Sequence, residues 1–195
     1  MRASTIFGLA AATSAASASA IPAHKVVARD SNPGCTADSF SSGFEWTISN
    51  VVYNTSIVQT TPAHQIPNGV VQFNLTNPAL TYTAACVGYS TQLSEFFYGD
   101  IIYTCTEPSD ATTTTFTFNA GTSQLNVNQS WVCSDESAEY PTTFKYAGTV
   151  NLAFDCTSTH YENDDWSIGE IYKTNATHCA QNDVTIKPYL ATATA

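Results

Sequence analysis

The stretch Leu125-Asn126-Val127-Asn128-Gln129-Ser130-Trp131-Val132-Cys133 decides the fold class, because it alternates between two kinds of side chain. Its odd-numbered residues, Gln129 apart, are apolar, and its even-numbered residues are polar up to Ser130. A period of two is typical of a β-strand that buries one face and leaves the other in water. The stretch therefore predicts a strand in a sheet that covers a core on one side.

The same alternation recurs along the chain, in residues 44–48, 71–75, 150–154 and 184–186. Turn residues punctuate it at 67–69, 107–110 and 119–121, where Pro, Gly, Asn, Ser and Asp cluster. Helical spacing is visible only weakly, in residues 92–98, and the biased composition of residues 191–195 predicts a frayed C-terminal tail. The pattern predicts an all-β protein, with a single antiparallel β-barrel or sandwich.

Six cysteines follow the N-terminal region, and their even number predicts a disulfide framework in an exported chain. They are Cys35, Cys86, Cys105, Cys133, Cys156 and Cys179. Six cysteines allow 15 connectivities, so their number alone does not give the pairing. Disulfides would staple strands whose polar outer faces leave a modest core.

The N-terminus has the features of a secretion signal. Arg2 precedes an uncharged apolar stretch over 6–16, and small residues at 18–20 surround a cleavage point. We predict a signal peptide over 1–20, a leader or flexible arm over 21–34, a single β-barrel domain over 35–195 and an extracellular location. Two interpretations of the arm remain open: removal after Arg29, or retention on the secreted protein.

The charge of the chain excludes two classes of partner. Residues 35–195 contain no arginine, three lysines and 15 acidic residues, which gives a net charge of −12. Nucleic acids and anionic membrane surfaces are bound through clusters of Lys and Arg, and this chain has none. No motif points to a cofactor, and the histidines lack the spacing of a zinc site.

Several motifs together resemble a known family. They are Phe44-Glu45-Trp46-Thr47-Ile48, Val71-Gln72-Phe73-Asn74-Leu75 before Cys86, Phe116-Thr117-Phe118 after Cys105, the 125–133 stretch, and Gly148-Thr149-Val150-Asn151-Leu152 before Cys156. Over residues 35–190 the chain resembles the Alternaria major-allergen-like family of small secreted fungal proteins. The resemblance implies a β-barrel and a non-enzymatic effector, elicitor or allergen. It also implies a plant defence protein or a small phenolic compound as partner.

The resemblance also bears on the pairing of the cysteines. It implies bridges Cys86–Cys105 and Cys156–Cys179, the second less secure because the segment between its cysteines is longer than the family pattern. Cys35 resembles the cysteine that links two chains in the family, but Cys133 offers it a partner within the chain. A monomer and a dimer therefore both remain open, and the even count favours the monomer.

Four Asn-X-Ser/Thr sequons are candidate glycosylation sites in a secreted chain. They begin at Asn54, Asn74, Asn128 and Asn175. The alternation of residues in the predicted strands places Asn74 and Asn128 on outward faces.

No compact catalytic signature is present, so the sequence predicts a protein that binds rather than an enzyme. The alternative is an extracellular acidic glycoside hydrolase, which needs two carboxyl groups. The candidate pairs are Glu95 with Asp100 and Glu136 with Glu139.

Aromatic residues in predicted loops are the candidate binding residues. Tyr161 and Trp166 lie in an acidic segment outside the strand pattern, which favours a recognition surface. Phe96 and Phe97 have a second interpretation, in which they fold back as a lid over the end of the barrel.

Overall fold

The computed structural model describes residues 34–195. The predicted signal peptide and nearly all of the predicted leader lie outside these residues. The helix and strands are α1 (Cys35–Ser39), β1 (Trp46–Thr61), β2 (His64–Thr76), β3 (Thr83–Ser90), β4 (Tyr103–Thr104), β5 (Thr113–Asn119), β6 (Gln124–Cys133), β7 (Thr142–Asn151), β8 (Asp155–Glu162), β9 (Lys173–Gln181), β10 (Val184–Ile186) and β11 (Pro188–Thr194).

Two antiparallel sheets make up the fold, as the alternation predicted. The first sheet has the order β3-β2-β1-β9-β8, with β10 paired to the start of β1. The second sheet has the order β11-β7-β6-β5-β4. The prediction of an all-β antiparallel protein is confirmed, and the strands form two sheets rather than a closed barrel.

The core lies between the inner faces of these sheets and is rich in aromatic residues. Phe44 stacks on Trp131 with ring centroids 5.7 Å apart, and Trp131 stacks in turn on Phe144 at 5.6 Å. The largest fully buried side chains are Trp46, Trp131, Phe116, Phe118, Phe144, Ile48, Leu75 and Leu125. The alternating residues of the predicted strands thus supply the core.

Three disulfides join the described residues: Cys35–Cys133, Cys86–Cys105 and Cys156–Cys179. They match the pairs expected from the resemblance and the even count, and Cys35 is bonded within the chain. The first bridge fixes α1 to the end of β6, the second fixes β3 to the segment after β4, and the third joins β8 to β9.

The predicted turn at 67–69 is wrong, because these residues lie inside β2. Pro67 pairs with Ile57 of β1, and β3 begins to pair with β2 only at Gly69. The nitrogen of Pro67, which carries no hydrogen, therefore lies on an open strand edge, where proline is tolerated. Glycine is required at position 69 because the Phe96 side chain packs directly against it, and a Cβ atom there would lie 2.7 Å from Phe96.

Three smaller predictions also differ from the structure. Residues 92–98 form an irregular loop, and the single helix among residues 34–195 is α1. Strand β7 ends at Asn151, so the predicted strand over 150–154 is cut short. The C-terminal segment, whose small polar residues suggested a frayed tail, pairs with β7 as strand β11.

A bulge in β1 separates the two parts of the strand that pair with different neighbours. Asn50 has a φ of 54°, and the register of β1 against β2 shifts between Ser49 and Val52. Before the bulge β1 pairs with β10, and after it β1 pairs with β9. The bulge therefore marks where β1 exchanges the short β10 for the long β8–β9 hairpin.

Candidate functional site: an acidic hairpin

The candidate site is the acidic hairpin, which we define as β8, the loop 163–172 and β9. It contains five acidic residues, Asp155, Glu162, Asp164, Asp165 and Glu170, against one lysine, Lys173. All eight residues of β8 are exposed, whereas strands of the core bury alternate residues. The hairpin is therefore an exposed part of the fold with a net charge of −4.

Glu170 holds the loop of the hairpin in one conformation. Its carboxylate accepts hydrogen bonds from the Asn163 side chain and from the Ser167 backbone N–H, both at 3.1 Å. Its carbonyl oxygen accepts a hydrogen bond from Trp166 Nε1 at 2.9 Å. The loop is thus ordered by its own polar groups, although it is exposed.

Trp166 is half-buried and packs edge-on against Tyr172, with ring centroids 6.1 Å apart. Its indole N–H is satisfied by Glu170, so its ring is fixed in position rather than free to rotate. Ile168, two residues further along, is 94% exposed. The tip of the hairpin therefore presents apolar groups beside carboxylates.

Tyr161 lies on the strand portion of the hairpin and is 54% exposed. The strand register places it opposite Thr174, and Thr174 opposite Val58, which in turn lies opposite Ile66. These residues form one row across four strands on the outer face of the sheet. The structure thus places Tyr161 on β8 and Trp166 in the adjoining loop, so both predicted binding residues belong to one hairpin.

A network of charged groups stabilises the base of the hairpin. Glu162 accepts hydrogen bonds from Lys173 Nζ at 3.2 Å and from the Tyr172 hydroxyl at 3.0 Å. These two hydrogen bonds lower the pKa of the Glu162 carboxyl group. On the same strands, His160 Nδ1 lies 2.6 Å from Asn175 Oδ1. Lys173 is therefore engaged within the hairpin, and the net negative charge of the surface remains.

A polar groove runs along the outer face of β1, β9 and β8, next to the row that contains Tyr161. Its volume is about 460 Å³, and hydroxyl, amide and imidazole groups line it. Thr157 and Thr159 line it from β8, His178 from β9, and Asn54 and Ser56 from β1. Asn68 of β2 also lines it. Sequence reasoning missed this groove because its walls come from four strands, in two hairpins (β1–β2 and β8–β9) that are distant in the chain.

The second sheet carries a different groove, of about 290 Å³, on its outer face. Leu190, Tyr146 and Ala147 supply apolar walls, and Lys145 and Asn128 border it. Leu190 reaches this groove only through the pairing of β11 with β7. Sequence analysis missed the groove because it predicted a frayed tail in place of most of β11.

The remaining aromatic candidates belong to the core. Phe97 is buried against Tyr53 and Phe118, and Phe96 is partly buried where it packs against Gly69. Both residues therefore pack against the core instead of forming an exposed recognition surface, and the two sheets of residues 34–195 leave no closed barrel end for them to cover. Burial raises the pKa of the neighbouring Tyr53 hydroxyl to about 12, and the negative charge of Glu95 adds to the shift.

The carboxylates considered for hydrolysis lie in loops. Glu95 is half-buried and Asp100 is exposed, both between β3 and β4, and Glu136 and Glu139 are exposed between β6 and β7. The gap that Asp100 borders is too narrow to admit a solvent molecule.

The structure also locates the four sequons and one cluster of potential metal ligands. Asn128 and Asn175 are exposed, while Asn54 and Asn74 are half-buried, and glycosylation at all four stays a prediction. The side chains of Cys35, Cys133 and Asp135 lie within 4.8 Å of one another. Cys35 and Cys133 are joined by a disulfide, so neither offers a thiolate to a metal.

Comparison with protein families gives one match. The family model described as "Alternaria alternata allergen 1" matches residues 44–179, which is more than half of the chain. The chain belongs to this family. Neither the curated proteins nor the solved structures yield a match.

Membership of the Alternaria alternata allergen 1 family confirms the resemblance seen in the sequence. The match spans strands β1–β8 and continues through the acidic hairpin as far as Cys179 of β9. This family is not a known enzyme family, and a disulfide-rich allergen domain is consistent with a secreted protein. No helix among the described residues is long and apolar enough to cross a membrane.

Proposed function

We propose that this is a secreted, non-enzymatic fungal protein that acts on a plant host by binding a defence protein. The acidic hairpin carries the proposal, because it exposes Tyr161, Trp166 and Ile168 among five carboxylates. Aromatic side chains are enriched among the residues that dominate binding energy at protein interfaces. Complementary charge steers such partners together, so the partner that fits is a protein with a basic surface.

The order of the hairpin supports this proposal. A loop that is already fixed by the Glu170 hydrogen bonds loses little conformational entropy when it binds. An aromatic ring that is held in place but still half-exposed has the same advantage. Trp166 meets both conditions, since it packs on Tyr172 and remains accessible.

The test is a capture experiment with plant apoplastic fluid. The glycosylated, secreted protein is immobilised beside its W166A variant and a Y140A control, in which another exposed aromatic residue is lost. We expect a basic protein to be retained by the wild type and by Y140A, and to be depleted on W166A. The captured protein is identified by mass spectrometry, purified and titrated against the same three proteins. Equal retention by all three would exclude the hairpin as the binding surface.

A small phenolic ligand is a second candidate partner, and the groove beside β11 favours it. Its apolar walls and the adjacent Lys145 suit a flat aromatic ring that carries an acidic hydroxyl group. Quenching of tyrosine and tryptophan fluorescence by a flavonoid measures this binding. We expect L190A to weaken the quenching and W166A to leave it unchanged, whereas an equal loss in both variants would place the ligand elsewhere.

The hydrolase alternative is tested on the same preparation. The secreted protein is incubated with a panel of plant and fungal polysaccharides, and the release of reducing ends is followed. We expect no release above that from a reduced and alkylated sample. Sustained turnover that one amide substitution among the four loop carboxylates abolishes would replace the binding proposal.

A further inference from the structure

The outer edge of β8 is an open strand edge of unusual length. Strand β8 ends the first sheet, and within residues 34–195 no other strand pairs with its far side. It has eight residues without proline or lysine, which are the residues that commonly protect such edges. The opposite edge of the sheet is partly covered, since Ala85 of β3 exchanges two backbone hydrogen bonds with Thr106.

The strand register shows which backbone groups of β8 face this open edge. Cys156 and Cys179 are directly opposite each other with Cα atoms 4.0 Å apart, which is typical of a pair without mutual backbone hydrogen bonds. Asn163, at an odd-numbered position, donates its backbone N–H to Tyr172 across the hairpin. Hydrogen-bonded pairs alternate with the others, so odd-numbered residues of β8 bond to β9. The N–H and C=O groups of Ser158 and His160 therefore point away from the sheet.

The side chains beside this edge provide places for a second chain to make contact. Thr157, Thr159 and Tyr161 project to the outer face, and the first two line the polar groove of about 460 Å³. In strand addition, main-chain hydrogen bonds supply affinity and pockets beside the edge supply specificity. Both elements are present along β8.

Charge indicates what kind of strand fits. Asp155 and Glu162 stand at the two ends of β8, and Asp164 and Asp165 follow directly. A second copy of this chain, paired antiparallel to β8, would bring Asp155 of one copy towards Glu162 of the other. Like charges that face each other across strands are destabilising, whereas lysine or arginine at these positions is favourable.

We propose that the outer edge of β8 accepts an extended, lysine- or arginine-bearing segment of the partner protein as an added antiparallel strand. This proposal rests on the proposed function and identifies the partner segment by its chemistry. Strand addition extends the sheet by one strand, and the backbone groups of Ser158 and His160 form its central hydrogen bonds. The adjoining tip, with Trp166, contacts the body of the partner.

The experiment uses the secreted protein and two synthetic nine-residue peptides of alternating lysine and valine. The second peptide has the same side chains and charge, but its backbone amides are N-methylated along both edges, so neither edge can donate hydrogen bonds to β8. Amide hydrogen exchange is measured by NMR for Ser158 and His160, with and without each peptide. We expect the unmethylated peptide to slow both amides by about fivefold or more, since each backbone hydrogen bond contributes about 1 kcal/mol. We expect the methylated peptide to bind more weakly and leave both amides unprotected.

A protein variant provides an independent check. The S158P variant removes one outward N–H group and leaves the backbone hydrogen bonds between β8 and β9 in place. It also removes the hydrogen bond between the Ser158 and Thr177 hydroxyl groups, so S158A, which loses that bond and keeps the outward N–H, is the matched control. We expect S158P to lose binding of the unmethylated peptide while its near-ultraviolet circular dichroism and disulfide map match the wild type. If S158P folds poorly, the comparison between the two peptides still tests strand addition, because it uses the unaltered protein.

Four results would overturn the proposal. Equal binding of the two peptides would show that charge alone attracts them. Amides of Ser158 and His160 that are already protected without peptide would show that the edge is occupied by the chain itself or by a second copy, and sedimentation distinguishes these two cases. If W166A loses the captured plant protein but S158P retains it, strand addition is wrong and the proposed function stands. If neither variant loses it, both are wrong.

Discussion

At the residue scale, Gln129 shows what a buried polar group does in this fold. It lies on the inner face of β6 and is only 3% exposed. Its Oε1 accepts hydrogen bonds from Trp46 Nε1 at 2.9 Å and from Asn77 Nδ2 at 2.8 Å. One side chain of β6 therefore satisfies two buried donors, which belong to residues in the first half of the chain.

We expect Q129L to destabilise the protein, because leucine matches the size of glutamine but leaves both donors without an acceptor. A buried unsatisfied polar group costs about 1–3 kcal/mol, so the free energy of unfolding should fall by about 2–5 kcal/mol. Urea denaturation measures the change. Q124L on the same strand is the control, since Gln124 is partly exposed at the strand end, and it should change stability by less than about 1 kcal/mol. Equal losses in the two variants would contradict this role of Gln129.

Asp135 is a second residue whose charge matters locally. Its desolvation favours the neutral acid, but hydrogen bonds from the Thr36 hydroxyl and backbone N–H outweigh that cost and lower its pKa. A lowered pKa stabilises the folded state at pH values above the unfolded pKa, and the stabilisation is lost as the pH falls through the folded pKa.

We therefore expect D135N to speed amide exchange at Thr36 at pH 7. Exchange in β6 should be unaffected, because the hydrogen bond anchors α1 and not the core. The difference between D135N and wild type should vanish at a pH below the folded pKa of Asp135. The neighbouring exposed acid provides the control, E136Q, which should leave exchange at Thr36 unchanged at both pH values.

Gln129 also shows which features of the core could be predicted from the sequence. The period of two placed Gln129 on the buried face, and the structure agrees. Its partners could not be predicted, because Asn77 and Trp46 lie 52 and 83 residues away in the chain. Contacts of this kind depend on how the sheets pack, and no local pattern encodes that arrangement.

At the scale of elements, strands with regular alternation were predictable and irregular segments were not. The 125–133 stretch corresponds to β6, whereas 67–69 has turn residues but lies within β2. The pairing of β2 with the long β1 overrides that local turn preference. The acidic hairpin was visible only as an insertion with aromatics and acids, because strand β8 buries no face and shows no alternation of burial.

The disulfide Cys156–Cys179 is the covalent link within this hairpin, and its loss should act locally. Strand β8 has β9 as its one neighbour within the described part of the chain. We expect the double variant C156S/C179S to speed amide exchange throughout β8 while β6 keeps its protection. The bridge spans 23 residues, so the free energy of unfolding should fall by up to about 3 kcal/mol in the chain-entropy model.

The double variant C35S/C133S is the comparison for this prediction. Its bridge spans 98 residues and should contribute about 4–5 kcal/mol in the same model. We expect the loss of this bridge to affect α1 and the end of β6, and to leave exchange in β8 unchanged. The hairpin would not be an independent element if C156S/C179S lost more stability than C35S/C133S, or if C35S/C133S showed faster amide exchange in β8.

At the scale of the whole molecule, negative charge and a stapled β-framework set what the protein can bind. The domain keeps its core between two sheets and extends the acidic hairpin from the exposed end of one of them. The carboxylates considered for hydrolysis lie in the loops 91–102 and 134–141. We therefore propose that the hairpin serves recognition and that those loops serve only solubility or local structure.

We expect the single substitutions E95Q, D100N, E136Q and E139Q to leave the biological effect on plant tissue intact. An enzyme loses orders of magnitude in rate when a catalytic carboxyl group is neutralised, whereas a binding protein depends on its contact surface. The measurement is the response of leaf tissue to equal doses of each purified variant. Loss of the response in one variant whose fold and disulfides are intact would favour an enzyme.

The most direct test of the account is the dissociation constant of the purified plant partner for three proteins: wild type, W166A and Y140A. We predict that W166A raises the constant by about tenfold or more, since interface aromatics often contribute more than about 1 kcal/mol. Y140A should bind as the wild type does. An unchanged constant for a correctly folded W166A, or an equal loss in Y140A, would contradict the claim that the acidic hairpin is the binding surface.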